Sequence, residues 1–579
     1  MAVPNYWSTL SSQRLRRRRL LSAAGSVGLG TIAAGLAACS TSNKGTQPAP
    51  GSSAQTSQQT AKPGGTLNAY VPFNTPLDPQ KVSAQPQRTV SGVYSRLFRF
   101  KAGADPKILS NRELENELGL SAESADAITW TVKLRPDAKF TNIAPVNGHA
   151  VEAEDVKAAF TRILDPVTSS PNRAQLGMID ATQIQTPDKT TVVFKLRFAY
   201  APFSKTLASA AYSLILPREA LAGTYDPAKD VIGSGPFLLE STQPDVAYTY
   251  KRNPDHFEKG RPNVDALKLA VVPDSAQQLA QFSAGNIDEL QQVAFDDLET
   301  AKQRNPKATL IRAAYGTPNP VFWQLGDPTS AFADVRVRRA FSMALDRDSM
   351  AKVVYGGDAL ATVFIPAYMG KWSMQVSDLP AETQQWYKYN PSEAKKLLDA
   401  AGASNLQLRF AMVVNGPGAF APTPGARKHI ETINNMLGAV GIKTNIVTID
   451  YNKDYVDAGK GSSQGYYDKD MIIFGGFSPY TESDEWLFSY FHSKSANSHT
   501  NVKDPQLDAM IDKERTLVND GDRLTAVKDI QKYVADKVYQ LSTVGQYYYY
   551  FVAPRVHDYA YADSLGYMSE SYAKLWLDT

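Results

Sequence analysis

The chain is 579 residues long, with 61 basic and 58 acidic residues, a formal net charge of +3 and a single cysteine, Cys39. One thiol excludes an intrachain disulfide framework. The near-neutral balance gives no support to a nucleic-acid footprint, which would need clustered Lys and Arg on one face of the body.

The first element reads as an export signal. Arg14 and Arg16 to Arg19 form a positive n-region, followed by a Gly/Ala/Ser-rich apolar stretch over residues 20–38. That stretch is too mildly hydrophobic for a permanent span, which wants about 20 strongly apolar residues. Leu36-Ala37-Ala38-Cys39 resembles the lipobox of bacterial lipoproteins, which implies removal of residues 1–38 and acylation of Cys39. Arg17-Arg18-Arg19-Leu20-Leu21 is a loose match to a twin-arginine signal. The alternative is an uncleaved N-terminal anchor helix with a chance cysteine. Losing the signal takes five arginines with it and leaves 56 basic against 58 acidic residues. Residues 39–63 then read as a lipid-anchored flexible tether, since Ser40 to Pro63 has no aromatic residue and alanine as its one aliphatic type. Such a tether spans roughly 25–30 Å.

The remaining body, on the order of 515 residues, exceeds the ~250–300 residues at which single cores stop growing, so two or three lobes are expected. Strand signals appear at Gly65 to Val71, at Thr129-Trp130-Thr131-Val132-Lys133-Leu134, at Thr190 to Leu196 and at Ala247 to Lys251. The stretch Asp334 to Tyr355 predicts one or two helices with Val337, Phe341, Leu345, Val353 and Val354 facing a core. In Asn390 to Gly402, Asn390 can cap, Pro391 fits the first turn, Glu393 can close a capping box and Gly402 ends the helix. Strands and helices alternate without a repeat, so the fold class is α/β. The 29 tyrosines and 23 phenylalanines suit either ordinary packing or aromatic walls around a polar ligand.

Motifs in a fixed order then carry a family resemblance. They are Gly64-Gly65-Thr66-Leu67, Leu77-Asp78-Pro79, Trp130 to Phe140, Glu152-Ala153-Glu154-Asp155-Val156, Gly233-Ser234-Gly235-Pro236-Phe237, Lys251 to Phe257, Gly285-Asn286-Ile287-Asp288, and Asp334 to Phe341 with Ala344 to Arg347. Together they resemble the family 5 extracellular solute-binding proteins, the oligopeptide- and dipeptide-type receptors of ABC importers, over residues 64–560. Most of these residues read as structural. Arg135-Pro136-Asp137 and Asn253-Pro254 suit turns, and Gly233-Ser234-Gly235-Pro236 suits a backbone crossing that side chains would obstruct.

The resemblance implies a periplasmic-binding-protein-like, two-lobed clam with a third inserted domain, the cluster C type. Domain I would comprise residues 64–100, 230–316 and 547–579, domain II 101–229, and domain III 317–546. The solute would be enclosed between domains I and III and passed to an ABC permease served by separate ATPase subunits. The receptor is expected to be a monomer on the outer face of the cytoplasmic membrane, needing no cofactor, metal or nucleic acid. Positions matching the family's cleft are Pro86, Gln87 and Arg88, then Trp323 and Gln324, then Phe474, Gly476, Phe477, Ser478, Pro479 and Tyr480, with Trp323 and Phe477 as candidate aromatic walls. Strand Asp470 to Ile473 leads into the last group. Peptide receptors of this class place an aspartate near Ser478 or Pro479 to meet the ligand's amine; Glu482 or Asp484 could substitute, or could simply be solvated. Peptide is the leading cargo, with metal chelate, haem, sugar or a sensory role as alternatives.

A hydrolase reading rests on Gly461-Ser462-Ser463-Gln464-Gly465 with Asp468 and His499, but no strong strand precedes Ser462. Among six histidines only His492 and His499 are near each other in sequence, which gives no zinc signature, and no P-loop is present.

Overall fold

The structure, a computed structural model, describes residues 61–81, 88–102, 112–313, 319–414, 424–456, 460–475, 480–495, 497–560 and 571–578. Cys39 and the expected signal lie outside them. No helix among the described residues is long and apolar enough to cross a membrane.

Strand β1 (Thr66–Val71) buries Leu67, Ala69 and Val71 in period two. After it come β2 (Gly119–Glu123), β3 (Thr129–Leu134), helix α1 (Ala153–Leu164), β4 (Ile179–Asp188) and β5 (Thr191–Leu196). The four strands β2 to β5 form an antiparallel sheet in the order β2-β3-β5-β4. Trp130, Val132 and Leu134 of β3 face its core, as the alternation predicts. A reciprocal capping box between Glu152 and Asp155 starts α1.

Strands β6 (Phe237–Gln243), β7 (Ala247–Arg252) and β8 (Ala266–Val271) return to β1, giving the order β1-β8-β7-β6 with β1 and β8 parallel. Just before β6, a Cβ on Gly233 would lie 2.1 Å from the Val93 carbonyl oxygen, and one on Gly235 2.6 Å from that of Gly92. Two bare backbones cross there, for the reason the Gly-Ser-Gly-Pro spacing predicts. Asn253 locks the next turn, donating from Nδ2 to the Gly235 carbonyl at 2.8 Å.

Strands β9 (Glu289–Val293) and β10 (Thr309–Ala313) precede β11 (Val321–Trp323), and the chain continues through α2 (Val335–Met343), α3 (Arg347–Tyr355), α4 (Pro391–Ala400), β12 (Gln407–Val414), α5 (Pro424–Ala439), β13 (Lys443–Asp450), β14 (Met471–Phe474), α6 (Ser483–Phe491), α7 (Pro505–Glu514), α8 (Asp520–Lys537) and β15 (Tyr548–Val552). β15 pairs with both β9 and β10, while β11 belongs to a separate sheet of order β11-β14-β12-β13. The chain therefore crosses between these two sheets after β10 and again before β15.

Two helical expectations need adjustment. The stretch from Asp334 splits into α2 and α3, whose apolar face includes Val337, Phe341 and Val354, but Val353, turned about 100° from Val354 around α3, is 49% exposed. Asn390 caps α4 through the Glu393 amide, yet Glu393 pairs with Lys396 at 3.1 Å, one turn on, instead of closing a capping box.

Candidate functional site

In the sheet β11-β14-β12-β13, strands β12, β13 and β14 are parallel, and their carboxyl ends, Val414, Asp450 and Phe474, lie along one edge. Antiparallel β11 enters at that same edge, since Val321 pairs with Phe474. The carboxyl edge of an open α/β sheet is where ligands settle, because side chains and backbone groups of several connections converge there. Pro86, Gln87, Gly476, Phe477, Ser478 and Pro479 lie outside the described residues. Arg88, Trp323, Gln324, Phe474 and Tyr480 can be placed.

At this edge Gly475 follows Phe474 so closely under other rings that a Cβ would lie 3.0 Å from Phe322 and 3.4 Å from the Tyr455 hydroxyl. Tyr455 comes from the single turn after β13, where Asp450 caps the amides of Asn452 and Lys453. The Tyr455 hydroxyl lies 2.9 Å from Nε2 of His499, whose Nδ1 lies 2.9 Å from the Asn497 carbonyl oxygen. Nδ1 therefore carries the proton and Nε2 accepts from Tyr455. Burial lowers the His499 pKa to about 4, which keeps the ring neutral. The ring stacks on Tyr490 at 4.6 Å and 21°, and Tyr467 donates to the His499 carbonyl at 2.8 Å. On the α5 side, His429 is fully buried, its pKa lowered to about 3 by burial, with Nδ1 3.3 Å from the Tyr355 hydroxyl and its ring 5.2 Å from Phe474. Aromatic rings and neutral histidines thus gather at this edge and stack and hydrogen-bond with one another, beside the carboxylate of Asp450. Sequence reasoning did not single out His429, Tyr455 or Tyr355, because each reaches the site from a different element and no local pattern joins them.

Trp323, expected as an aromatic wall, is 0% exposed and lies in the core, stacked on Phe332 at 4.9 Å and 12° and edge-on to Phe341. Its alternation on β11 points it away from Phe322, so it offers no face to a solute. Gln324 is equally structural: Nε2 donates to the Gly465 carbonyl at 2.6 Å and Oε1 accepts from the Gly326 amide at 2.8 Å. Tyr480 is half-buried, its ring 5.2 Å from Trp486, and its carbonyl accepts from the Tyr368 hydroxyl at 3.1 Å. Arg88 is tied to the other sheet, where Nη1 donates to Oε1 of Gln291 on β9. Beside it, the Gln291 amide nitrogen donates to the Tyr70 hydroxyl at 3.1 Å, and the Tyr572 hydroxyl donates to Glu289. Burial pushes Tyr70 up to about 12 and raises the Glu289 carboxyl.

The acids after Tyr480 are neither solvated nor free. Glu482, 1% exposed, caps α6 and is met by the Arg523 guanidinium, which also binds Glu514 at 2.6 Å. Burial pushes Glu482 up, but the charges of Arg523 and Lys205 override it and hold the carboxyl well below its usual range. Asp484 takes both arms of Arg515, at 2.7 and 3.0 Å. Glu485 accepts from the Thr481 amide at 2.8 Å and from the Tyr212 hydroxyl at 2.6 Å. The expectation that Glu482 or Asp484 could meet a ligand amine is thus corrected: both are consumed by arginines.

The hydrolase constellation is not assembled. The Ser462 hydroxyl makes no hydrogen bond, His499 faces Tyr455, and Asp468 pairs with Arg409. Among the described residues one group could hold a cation, His149, Asp155 and Glu219, but Arg218 Nε stands 3.7 Å from Asp155 and competes for it.

Residues 113–498 match the family model of bacterial extracellular solute-binding proteins, family 5, middle region. The chain is 28% identical over 330 residues to a probable D,D-dipeptide-binding periplasmic protein, DdpA, of Escherichia coli, covering 56% of this chain and 60% of that protein. It is 27% identical over 477 residues to a probable di/tripeptide-binding protein of Pseudomonas aeruginosa, covering 77% of this chain and 85% of that protein. An ABC transporter substrate-binding protein of Listeria monocytogenes, CtaP, superposes with a TM-score of 0.72 at 20% identity, over 89% of this chain and 100% of that one. The shared fold is the two-lobed α/β architecture of the periplasmic binding proteins.

Proposed function

The chain belongs to the family 5 bacterial extracellular solute-binding proteins, and from that premise we propose that its cargo is a short peptide, captured outside the cytoplasmic membrane and handed to an ABC permease. The observation that carries this reading is the edge around Tyr455, His499, His429 and Phe474, where neutral rings and hydroxyls converge at the carboxyl ends of three parallel strands. These four side chains are themselves buried, so they back that edge instead of facing the solute, and main-chain hydrogen bonding is the way the edge would hold a peptide. The Escherichia coli and Pseudomonas aeruginosa relatives, a probable D,D-dipeptide-binding and a probable di/tripeptide-binding protein, support the same reading. With Glu482 and Asp484 already paired, a peptide's ammonium group gains no carboxylate from them, so selectivity for a free N-terminus is weaker than an unpaired acid would give.

The sheet connections support a three-domain reading of the chain. A lobe over about 317–546, entered after β10 and left before β15, would close on a lobe of residues 64–100, 230–316 and 547–579, with 101–229 as the inserted domain. Solute shifts that equilibrium only through contacts with both lobes. Lipid attachment at Cys39 and a monomeric receptor complete the reading.

Native mass spectrometry of the protein purified without refolding tests the cargo. A heterogeneous set of short peptide masses released on denaturation is the expected result. A single non-peptide mass, or an empty protein that shows no thermal shift with dipeptide and tripeptide pools, would overturn it.

A further inference from the structure

The segment after β5 touches the turn that carries Tyr480 through side chains buried from both directions. Phe203 anchors that segment in the core of the β2-β3-β5-β4 sheet, 5.1 Å from Phe194 and 5.7 Å from Trp130. Arg96, itself paired with Glu117 in the interior, donates to the Ala208 carbonyl at 3.0 Å and holds the segment's path. From this base Lys205 reaches away from its own core. Its ammonium lies 4.3 Å over the Trp372 ring and 3.5 Å from Oε2 of Glu482, with the side chain 8% exposed. Seven residues on, the Tyr212 hydroxyl lies 2.6 Å from Glu485 and 3.2 Å from the Thr481 hydroxyl. Alongside, the Ala201 amide donates to the Arg515 carbonyl at 2.7 Å.

What these side chains grip is specific. Glu482 and Glu485 are the two partners of the capping box that starts α6, directly after Tyr480. Glu485 binds the amides of Thr481 and Glu482, so its position sets the turn, and the Tyr480 carbonyl is fastened by Tyr368. The ion pair is also incompletely closed. Neither the Lys205 ammonium nor Oε2 of Glu482 makes a hydrogen bond, 3.5 Å exceeds the ~2.8 Å of a closed charge-assisted bond, and the same ammonium also stands 3.6 Å from Oδ1 of Asp520 at the start of α8.

We propose that Lys205 and Tyr212 are positioning residues for solute binding: they hold, from outside the sheet that carries the candidate site, the turn Thr481–Glu485 that places Tyr480. The proposal rests on the reading that Tyr480 contacts the solute. Neither residue needs to touch cargo for this. Their effect passes through Glu482 and Glu485 to the backbone of the turn.

The test uses the full mature chain and its Tyr212→Phe, Lys205→Met and Lys205→Arg variants. Binding is measured against an equimolar library of dipeptides and tripeptides with free termini, then titrated with its best-binding member. In parallel, hydrogen exchange is followed at the amides of Thr481, Glu482 and Ser483. Tyr212→Phe and Lys205→Met are expected to weaken binding about tenfold and to speed exchange at those amides several-fold, with exchange in β3 and β5 unchanged. Lys205→Arg is expected to restore both. Unchanged exchange at the turn overturns the proposal whatever the affinity does, and so does faster exchange spread evenly over the chain, which would mark a general loss of stability. If the parent protein binds no library member, the peptide reading fails by itself, and the exchange data with the Lys205→Arg rescue still decide the positioning role.

Discussion

Tyr455 donates its hydroxyl to Nε2 of His499 across 2.9 Å, joining the turn after β13 to a histidine 44 residues further along the chain. The bond forms because Nδ1 is committed to the Asn497 carbonyl, leaving Nε2 as a buried acceptor. Removing the hydroxyl while keeping the ring therefore strands that nitrogen. Tyr455→Phe is expected to cost about 1–3 kcal/mol of stability, the price of one unsatisfied buried acceptor, read as a lower midpoint in urea at unchanged slope. An unchanged midpoint would show that the bond contributes nothing.

His429 makes a pH prediction. Its folded pKa is depressed to about 3 by burial, below the ~6.5 of an unfolded histidine. The unfolded chain therefore binds the extra proton, and the stabilising effect, present above pH ~6.5, is lost as pH falls from there toward 3. His429→Gln removes that titration. Between pH 6 and 4 the variant's stability should fall less steeply than the parent's, by about 1.4 kcal/mol per pH unit, measured by urea unfolding across the range. Parallel slopes would contradict it.

Gly233→Ala tests the backbone crossing. Because the atom 2.1 Å from the added methyl is the Val93 carbonyl oxygen, no side-chain rotation relieves the clash. The expected cost is about 3 kcal/mol or more, seen as a large fall in Tm or as insoluble expression. Gly223→Ala, with open space around its Cβ but a φ of +70°, should cost only about 1 kcal/mol.

Arg523 stands between two buried acids, Glu482 and Glu514, and burial with the neighbouring Asp484 and Glu482 charges raises the Glu514 pKa to about 8 despite Arg523. Arg523→Met would strip the ionised Glu482 of its main counter-charge and Glu514 of its hydrogen-bond partner. The expected loss is about 3–5 kcal/mol. The double variant Arg523→Met with Glu482→Gln should recover part of it, since one uncompensated charge then disappears. No recovery in a chemical-denaturation cycle would show that the two groups are not coupled.

Much of the local structure was legible because it depends on neighbours in the chain. The β3 alternation, the Asn390 cap and the Gly-Ser-Gly-Pro crossing all follow from propensity, backbone freedom and period, which short-range sterics set. The ordered motifs likewise pointed to the family before any coordinates. Legibility ended where a side chain's surroundings come from distant segments. On β11 a large aromatic suits either a cleft or a core, and the Phe332 and Phe341 rings that claim Trp323 arrive from the region after the strand, including α2.

The sequence by itself determined an α/β chain of this family, with a basic, apolar N-terminus ending at Cys39 and strands and helices near their observed places. Only the tertiary structure decided which groups remain available for chemistry. Glu482 and Asp484 look like loop acids in one dimension, yet folding sets Arg523 and Arg515 against them and brings Tyr212 onto Glu485 from 273 residues away. Charge, burial and hydrogen-bond partners are properties of neighbours in space, and a buried carboxylate is stable only where such neighbours compensate it.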